Sequence, residues 1–351
     1  MATETVTAIG TPNIALVKYW GRRNAAINLP TNSSISITLD ESLHTKTSVL
    51  FSDRLKEDTM YINGERLSFA DTKNEKTIFT AKVLQYMREL AGTSSHALVV
   101  SQNSFPTASG LASSASGAAT LCFAVSKALG LDLTQQDLSV IARMISGSAC
   151  RSVAGGFVLW KKGEREDGSD SYAEPIADQN YWPEVIDVIT MVSGDKKKIS
   201  SSDGHRLTPE TSDLYKARPE SADDRVAKLS AAILKKDFQT LAKITMRDSN
   251  SLHATMLDTY PPIVYLNDIS RAIMYAVQEL NEREGSLVAA YTFDAGPNAQ
   301  IITLEKHRAK VIDAVKEIVG EKNVMVARQG GGPRLLGDAD SLIDESALAP
   351  V

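Results

Sequence analysis

Cysteine is scarce in this chain of 351 residues, which contains two, Cys122 and Cys150. Both lie among apolar or small residues, and neither belongs to a Cys-x-x-Cys motif or to a Cys/His set with metal-ligand spacing. This pattern excludes a disulfide scaffold and a cysteine-ligated metal site. We expect two reduced thiols in the core, with a disulfide between them as the less favoured alternative.

Long apolar runs and an excess of positive charge are also missing. No run reaches the length that spans a membrane, and residues 1–5 have neither the basic nor the apolar region of a signal peptide. The formal net charge of −5 gives no reason to expect binding to nucleic acid or to an anionic membrane surface. The sequence therefore predicts a cytoplasmic protein without nucleic-acid or membrane partners.

The motifs of several enzyme classes are absent as well. The chain has no Ser/His/Asp nucleophile elbow, no lysine-containing Walker loop and no motif for an electron-sink cofactor. His253 lies in a helical context and is predicted to be structural. The five histidines are scattered along the chain, at His44, His96, His205, His253 and His307.

What the chain does contain is a long run of small residues, from Ser104 to Ala119. The apolar run 97–101 before it predicts a buried strand, and the segment 118–125 predicts a buried helix. Free amides and hydroxyls at the N-terminus of a helix bind phosphate, and small side chains let a ligand reach the backbone. The run is therefore a candidate phosphate cradle; the alternative is a Gly/Ser loop that only caps a core helix.

A second loop of small residues, 146–152, contains Arg151. Hydroxyls around a guanidinium suit an anionic substrate, whereas the alternative is an ordinary helix C-terminus with a left-handed glycine. Lys18 directly follows the apolar stretch 14–17, so we expect its ammonium at the edge of the core as a second anion site. The alternative for the cationic segment 18–23 is a solvated turn.

An acidic turn and a lysine triplet complete the candidates. Asp294 follows the predicted strand 287–293 and is fixed by Gly296-Pro297, which suits a catalytic base, although an aspartate in such a turn is commonly only a turn residue. Lysines 196–198 follow another predicted strand and indicate either phosphate contact or a solvated face. Together these features favour phosphoryl transfer to a small anionic alcohol.

Local patterns divide the chain into a strand-rich and a helix-rich half. Asn63-Gly64 predicts a hairpin turn, and Thr134-Gln135-Gln136-Asp137 predicts a capping box. The change of character near 180–207 predicts two subdomains, residues 1–190 and 191–351. Helical spacing in the second half covers roughly 222–235, 237–255 and 263–282.

Five segments carry a resemblance to a known family, in which they occur in the same order: 13–21, 111–116, 146–152, 257–263 and 291–299. The small-residue run resembles the phosphate-binding motif of the GHMP kinase superfamily. Ser-Gly-Ser-Ala-Cys-Arg-Ser and Phe-Asp-Ala-Gly-Pro-Asn-Ala narrow the resemblance to mevalonate diphosphate decarboxylase. It implies an α+β fold, a GHMP-kinase-like sandwich of two α/β subdomains with the active-site cleft between the halves, and a homodimer.

The resemblance also implies the chemistry. ATP and Mg²⁺ would be used to convert mevalonate 5-diphosphate to isopentenyl diphosphate, ADP, phosphate and CO₂. Asp294 would position the 3-hydroxyl and take its proton, Arg151 would clamp the substrate carboxylate, and Lys18 would assist as a nearby cation. Phosphorylation makes the hydroxyl a leaving group, and its departure develops positive charge that the carboxylate can collapse into.

Binding residues are implied in the same way. Arg22 stands where many family members have lysine, which keeps the charge but changes its reach. Ser114 is the implied metal ligand. The implied substrate-binding residues are Tyr19, Lys18, Arg22, Ser146, Ser148, Arg151 and Ser201. The implied nucleotide-binding residues are Ser104, Pro106, Ser109, Gly110, Leu111, Ala112, Ser113, Ser114, Ser116 and Lys196.

Three alternative functions stay open at the level of sequence. One is a relative that decarboxylates mevalonate carrying a single phosphate, since the sequence does not count the phosphates of the substrate. Another is a kinase that phosphorylates the 3-hydroxyl without decarboxylation, which the retention of Asp294 and Arg151 disfavours. The third is a catalytically silent ligand sensor, which the retention of both Asp294 and the small-residue cradle disfavours.

Overall fold

The computed structural model describes residues 4–69, 75–105, 113–192 and 198–344 of the chain. Within these ranges eight strands precede the first helix, and the later strands and helices follow one another in groups. The strands are β1 (Val6–Gly10), β2 (Asn13–Val17), β3 (Arg22–Asn24), β4 (Leu29–Pro30), β5 (Ser34–Thr38), β6 (Thr45–Ser52), β7 (Thr59–Ile62), β8 (Glu65–Leu67), β9 (His96–Asn103), β10 (Phe157–Trp160), β11 (Ala173–Ala177), β12 (Val185–Thr190), β13 (Ala289–Phe293), β14 (Ala299–Leu304), β15 (Val324–Ala327) and β16 (Arg334–Leu335).

Helices are concentrated in the second half, as the sequence predicted. No helix in the described ranges combines the length and apolar character that crossing a membrane requires. The helices are α1 (Glu75–Ala91), α2 (Ser113–Ala128), α3 (Gln135–Ile145), α4 (Ala149–Ser152), α5 (Ser201–Thr211), α6 (Arg218–Leu234), α7 (Phe238–Leu257), α8 (Asp268–Glu284) and α9 (Arg308–Val319).

The strands form three larger sheets and one two-stranded ribbon. Their orders are β16-β1-β6-β9-β7-β8, β11-β10-β5-β2, β13-β14-β12-β15 and β3-β4. Neighbouring strands are antiparallel except β7 and β9, which are parallel. The two four-stranded sheets share one apolar core, in which Leu16 and Ile35 of one sheet lie in the same cluster as Ala290 and Ile302 of the other.

The sheets also show where the two halves of the chain meet. Strand β12 pairs with β14 and β15, so it lies in the C-terminal sheet. The predicted boundary between residues 190 and 191 falls at the end of this strand and stays a prediction. After the C-terminal sheet is complete, β16 returns to pair with β1 in the first sheet.

Several local predictions are confirmed. Asn63 and Gly64 both adopt positive φ, 50° and 85°, in the turn between β7 and β8. Thr134 caps α3 in a reciprocal capping box with Asp137. Cys122 and Cys150 are buried and free, and burial raises the pKa of each thiol to about 12, so both behave as inert core residues.

Helix α2 packs closely on the first sheet because its inner side chains are small. Ala115, Ala119 and Ala124 on this helix have no exposed surface. A Cβ atom on Gly10 of β1 would collide with Thr120 of α2. The part of the candidate phosphate cradle that lies on α2, residues 113–119, is therefore packed closely against the sheet.

Candidate active site

The centre of the site is an ion pair between Lys18 and Asp294, each of which directly follows a strand. Lys18 comes after β2 and Asp294 after β13, so the pair joins two different sheets. Lys18 Nζ lies 2.5 Å from Asp294 Oδ1. The lysine side chain is 2% exposed and the aspartate side chain 31% exposed, so the carboxylate is the accessible member of the pair. The two residues are far apart in sequence, and the fold brings them into direct contact.

Arg151, on the short helix α4, is a buried cation that is held by neutral groups. Its Nε donates to Asn13 Oδ1 at 3.0 Å, and one terminal nitrogen donates to Ser34 Oγ at 2.7 Å. The guanidinium lies 5.7 Å from the ring centroid of Trp160. Burial lowers the pKa of Arg151, and the nearby Asp294 is among the charges that oppose this shift. Asn13 and Ser34 accept hydrogen bonds but carry no negative charge, so they do not neutralise Arg151. A guanidinium in this state is suited to bind an anion.

Sequence reasoning missed Asn13, which connects Arg151 to the rest of the second small-residue loop. The Asn13 amide nitrogen donates to Ser148 O at 3.1 Å and to Ser152 Oγ at 2.8 Å, while the amide oxygen accepts from Arg151. Asn13 is 2% exposed at the start of β2. Its place at the head of the segment 13–21 was the available signal.

Tyr19 and Arg22 form the next part of the site. Arg22 Nε donates to the Tyr19 hydroxyl at 3.1 Å, and an Arg22 terminal nitrogen donates to Ser202 Oγ at 3.3 Å. The Tyr19 ring packs against Trp160 and His205, with centroid distances of 4.7 Å and 4.3 Å. Burial raises the pKa of Tyr19, which keeps the phenol protonated, and the Arg22 charge opposes this shift.

His205 connects helix α5 to residues 19–21, which follow β2. Its Nδ1 accepts a hydrogen bond from the backbone N–H of Gly21 at 2.9 Å, and its ring also packs 4.4 Å from that of Trp20. Burial, with a smaller contribution from Arg22, lowers the pKa of His205 well below its ordinary value of 6.5. His205 is therefore a neutral acceptor that orders the backbone beside Tyr19.

The two predicted small-residue loops come together at two serines. Ser146 Oγ lies 3.5 Å from Ser114 Oγ, which is in the first turn of α2. Gly147 packs so tightly that an added Cβ would lie 2.7 Å from the Tyr19 ring. The predicted substrate loop and the part of the predicted nucleotide cradle on α2 therefore lie next to each other.

Other predicted site residues have different surroundings. Ser104 Oγ accepts from the His44 backbone N–H at 2.9 Å. Ser116 is fully buried and its hydroxyl lies 2.7 Å from Thr45 Oγ1, so it supports the packing of α2 instead of facing the cleft. Ser201 is exposed at the start of α5. Ser113 is described as the first residue of α2. Pro106, Ser109, Gly110, Leu111, Ala112 and Lys196 lie outside the described residues.

A second carboxyl group lies near the ion pair. Asp187 of β12 is 2% exposed, and neither of its oxygens has a hydrogen-bond partner among the described residues. Burial raises its pKa to about 8; the charge of Lys18 opposes the rise, and the charge of Asp294 adds to it. The protonated, neutral form of Asp187 is therefore the favoured one at neutral pH.

The protonated Asp187 should make the fold less stable as the pH rises. The pKa of Asp187 is about 8 in the folded state and has the ordinary value of 3.8 in the unfolded state, so the folded protein binds the proton more tightly. The free energy of unfolding should therefore decrease as the pH rises from about 4 to about 8. Asp187→Asn cannot ionise and should remove this loss, giving a stabilisation at pH 9 of at most about 5 kcal/mol relative to pH 4. Urea unfolding of both proteins at the two pH values measures it. The same difference between the proteins at both pH values would contradict the prediction.

The arrangement as a whole is that of an α+β protein of the GHMP-kinase type, with two sheet-and-helix halves and charged residues where they meet. Comparison with known families makes this more specific. Residues 10–173 match the diphosphomevalonate decarboxylase-like N-terminal domain, and residues 187–336 match the mevalonate 5-diphosphate decarboxylase C-terminal domain. The chain belongs to the diphosphomevalonate decarboxylase family.

Individual relatives agree with this assignment. The diphosphomevalonate decarboxylase mvd1 of Aspergillus fumigatus is 46% identical over 320 residues, which cover 88% of this chain and 79% of the relative. The structure of mevalonate diphosphate decarboxylase from Trypanosoma brucei matches with a TM-score of 0.88 and 32% identity, over 97% of this chain and 100% of that one. A structure of MDDEF in complex with MVAPP, AMPPCP and magnesium matches with a TM-score of 0.86 and 36% identity, over 95% of this chain and 99% of that one.

Proposed function

We propose that this chain catalyses the ATP-dependent decarboxylation of mevalonate 5-diphosphate to isopentenyl diphosphate, with release of ADP, phosphate and CO₂, as a step of isoprenoid biosynthesis. The observation that carries the proposal is the buried Lys18 ammonium paired with the accessible Asp294 carboxylate, close to the buried Arg151. A base for a hydroxyl and a cation for a carboxylate are the two groups that this reaction requires at neighbouring positions.

Asp294 acts on the 3-hydroxyl of the substrate. It accepts the hydroxyl proton as the oxygen forms a bond to the γ-phosphorus of ATP, the second substrate, and ADP leaves. Lys18 holds Oδ1 of the carboxylate at 2.5 Å and so fixes its orientation. When the C3–O bond then breaks, phosphate takes its electron pair. The bond between the carboxylate carbon and C2 breaks as well, and its electron pair forms the C2–C3 double bond as CO₂ departs.

Arg151 and the residues near it bind the anionic ends of the substrate. Arg151 orients the carboxylate that will leave as CO₂, and Asn13 and Ser34 hold the guanidinium in place. Ser146 and Ser148 in the adjoining loop supply hydroxyls beside the same region. Tyr19, Arg22 and Ser201 are assigned to the diphosphate end; the contact between Arg22 and the neighbouring serine of α5 supports this assignment.

The N-terminal end of α2 has groups that suit the phosphates of ATP and Mg²⁺. Helix α2 begins at Ser113, and its N-terminal amides together with the Ser114 hydroxyl suit phosphate oxygens. The described residues contain no group of three or more His, Cys, Asp or Glu side chains able to hold a metal. Mg²⁺ is commonly held by substrate phosphates and a few protein oxygens, and Ser114 is the proposed protein ligand. When bound, the ion neutralises charge on the phosphates.

Assembly and cellular location are also proposed. The resemblance of the five sequence segments to the decarboxylase family supports a homodimer. The cytoplasmic location is proposed from the sequence pattern of residues 1–5 and the length of the apolar runs. Sedimentation velocity over a range of protein concentrations tests the dimer, and a constant monomer mass would contradict it.

The reaction itself predicts a product ratio. With ATP, Mg²⁺ and mevalonate 5-diphosphate, ADP and CO₂ should be released in equal amounts, because phosphorylation and decarboxylation are coupled in one active site. Parallel assays with unphosphorylated mevalonate and with the 5-monophosphate provide the controls. A preference for the monophosphate would indicate the related decarboxylase, ADP without CO₂ would indicate a 3-kinase, and the absence of both products would indicate a ligand sensor.

A further inference from the structure

Helix α7 contacts the chain on both sides of the central ion pair through two adjacent side chains. Asp248 Oδ2 accepts a hydrogen bond from the Lys18 backbone N–H at 2.7 Å. Ser249 Oγ accepts one from the Phe293 backbone N–H at 3.1 Å, directly before Asp294. Both Asp248 and Ser249 have no exposed surface. One turn of one helix therefore holds the backbone at each member of the pair.

Side chains of helix α6 add hydrogen bonds to Asp248 and to the Lys18 backbone. Arg218 and Arg225 donate to the Asp248 carboxylate at 3.2 Å and 3.0 Å, which fixes its orientation. Arg218 also donates to the Lys18 backbone carbonyl at 3.3 Å, and Asn32 donates to the same carbonyl at 3.0 Å. Both backbone polar groups of Lys18 are thus bound by side chains that are fixed in the core.

Two side chains of α7 also contact the backbone of Phe293 at the end of β13. Besides the Ser249 contact to the Phe293 N–H, His253 Nε2 lies 3.4 Å from the Phe293 carbonyl oxygen. Burial lowers the pKa of His253 to about 4, so its ring is neutral at physiological pH. His253 thus contacts the backbone directly before Asp294, and its structural role stays a prediction.

These contacts matter because no sheet ladder relates the two strands. β2 and β13 belong to different sheets, so backbone pairing does not fix the distance between Lys18 and Asp294. Helix α7 packs on both strands. We propose that Asp248 and Ser249 are positioning residues that set the relation between Lys18 and Asp294 for catalysis, an inference that rests on the proposed function of that pair.

Ser249→Ala is the variant that tests this inference. Asp248→Asn is less suitable because it leaves two buried arginines without their anionic partner and so endangers folding. Loss of the Ser249 hydroxyl should let the strand end before Asp294 shift and lower kcat about tenfold, with both KM values changed less than about twofold, since misplacement of a reacting group by about 1 Å is costly.

Thr245→Val on the same helix is the matched control. Thr245 is fully buried, and its hydroxyl has no hydrogen-bond partner among the described residues. This variant should keep the kcat of the unchanged protein. Equal kcat values for Ser249→Ala and Thr245→Val, each corrected for the fraction of folded protein, would overturn the positioning role.

A double-mutant cycle separates positioning from general stabilisation. In an Asp294→Asn background the position of the strand end no longer affects proton transfer, so adding Ser249→Ala should leave the residual kcat unchanged. A further tenfold loss in that background would show that Ser249 acts elsewhere and would overturn the inference. The Asp294→Asn protein alone tests the proposed function: if it retains full turnover, the role of the ion pair fails independently of the result for Ser249.

Discussion

Asp294→Asn is expected to lower kcat by at least about 1000-fold while the protein still folds and binds both substrates. The amide cannot take the 3-hydroxyl proton, and general-base catalysis alone typically accounts for about 10² to 10⁴ in rate. The change also leaves the buried Lys18 ammonium without its 2.5 Å anionic partner. Release of ADP and CO₂ under single-turnover conditions measures the loss, and calorimetric titration with each substrate measures binding.

The control for this prediction is an aspartate of the same half of the chain. Asp268 at the start of α8 has a side chain that is 93% exposed and pairs only with the surface residue Arg271 among its described ion pairs. Asp268→Asn should leave kcat unchanged. Turnover by Asp294→Asn within tenfold of the unchanged protein would remove Asp294 from the role of base.

The sequence was informative about the ion pair because each member follows an apolar strand. Lys18 and Asp294 were both singled out as charged residues at the end of a predicted strand, and the structure shows that the two strand ends meet. What the sequence could not show is how their distance is fixed. Asp248 and Ser249 lie within a predicted helix, where polar residues ordinarily indicate a solvated face. Their burial depends on the packing of α7 against two sheets.

Two other differences have similar physical causes. Small-residue composition marks the start of α2 but does not tell one helix face from another, so Ser116 was assigned to nucleotide although it points to Thr45 in the core. Strand β12 has a fully buried pattern, so its sequence indicates a strand without indicating which sheet it joins. Hence neither the sheet that β12 joins nor the burial of Asp187 could be inferred before the fold was known.

The second large effect is expected at Arg151. Arg151→Gln should lower kcat/KM by about 100-fold to 1000-fold, because loss of a guanidinium that pairs with a carboxylate costs about 3 to 4 kcal/mol when the pair is desolvated. Glutamine is the suitable replacement, since it keeps much of the volume against Trp160 and retains a donor for Ser34 or Asn13. The rate of CO₂ release at low substrate concentration measures kcat/KM.

A second buried arginine shows how this effect differs from simple destabilisation. Arg143 of α3 donates to the backbone carbonyl groups of Ile27, Gly168 and Ser171, so its guanidinium is occupied by backbone oxygens. Arg143→Gln should lower the midpoint of thermal unfolding but leave kcat/KM of the folded enzyme near that of the unchanged protein. Arg151 contacts neutral side chains at the edge of the site, so its substitution should have the reverse balance, with a large kinetic loss for a modest thermal one. If both variants lost only stability, Arg151 would be a structural arginine, and the substrate carboxylate would require a different cation.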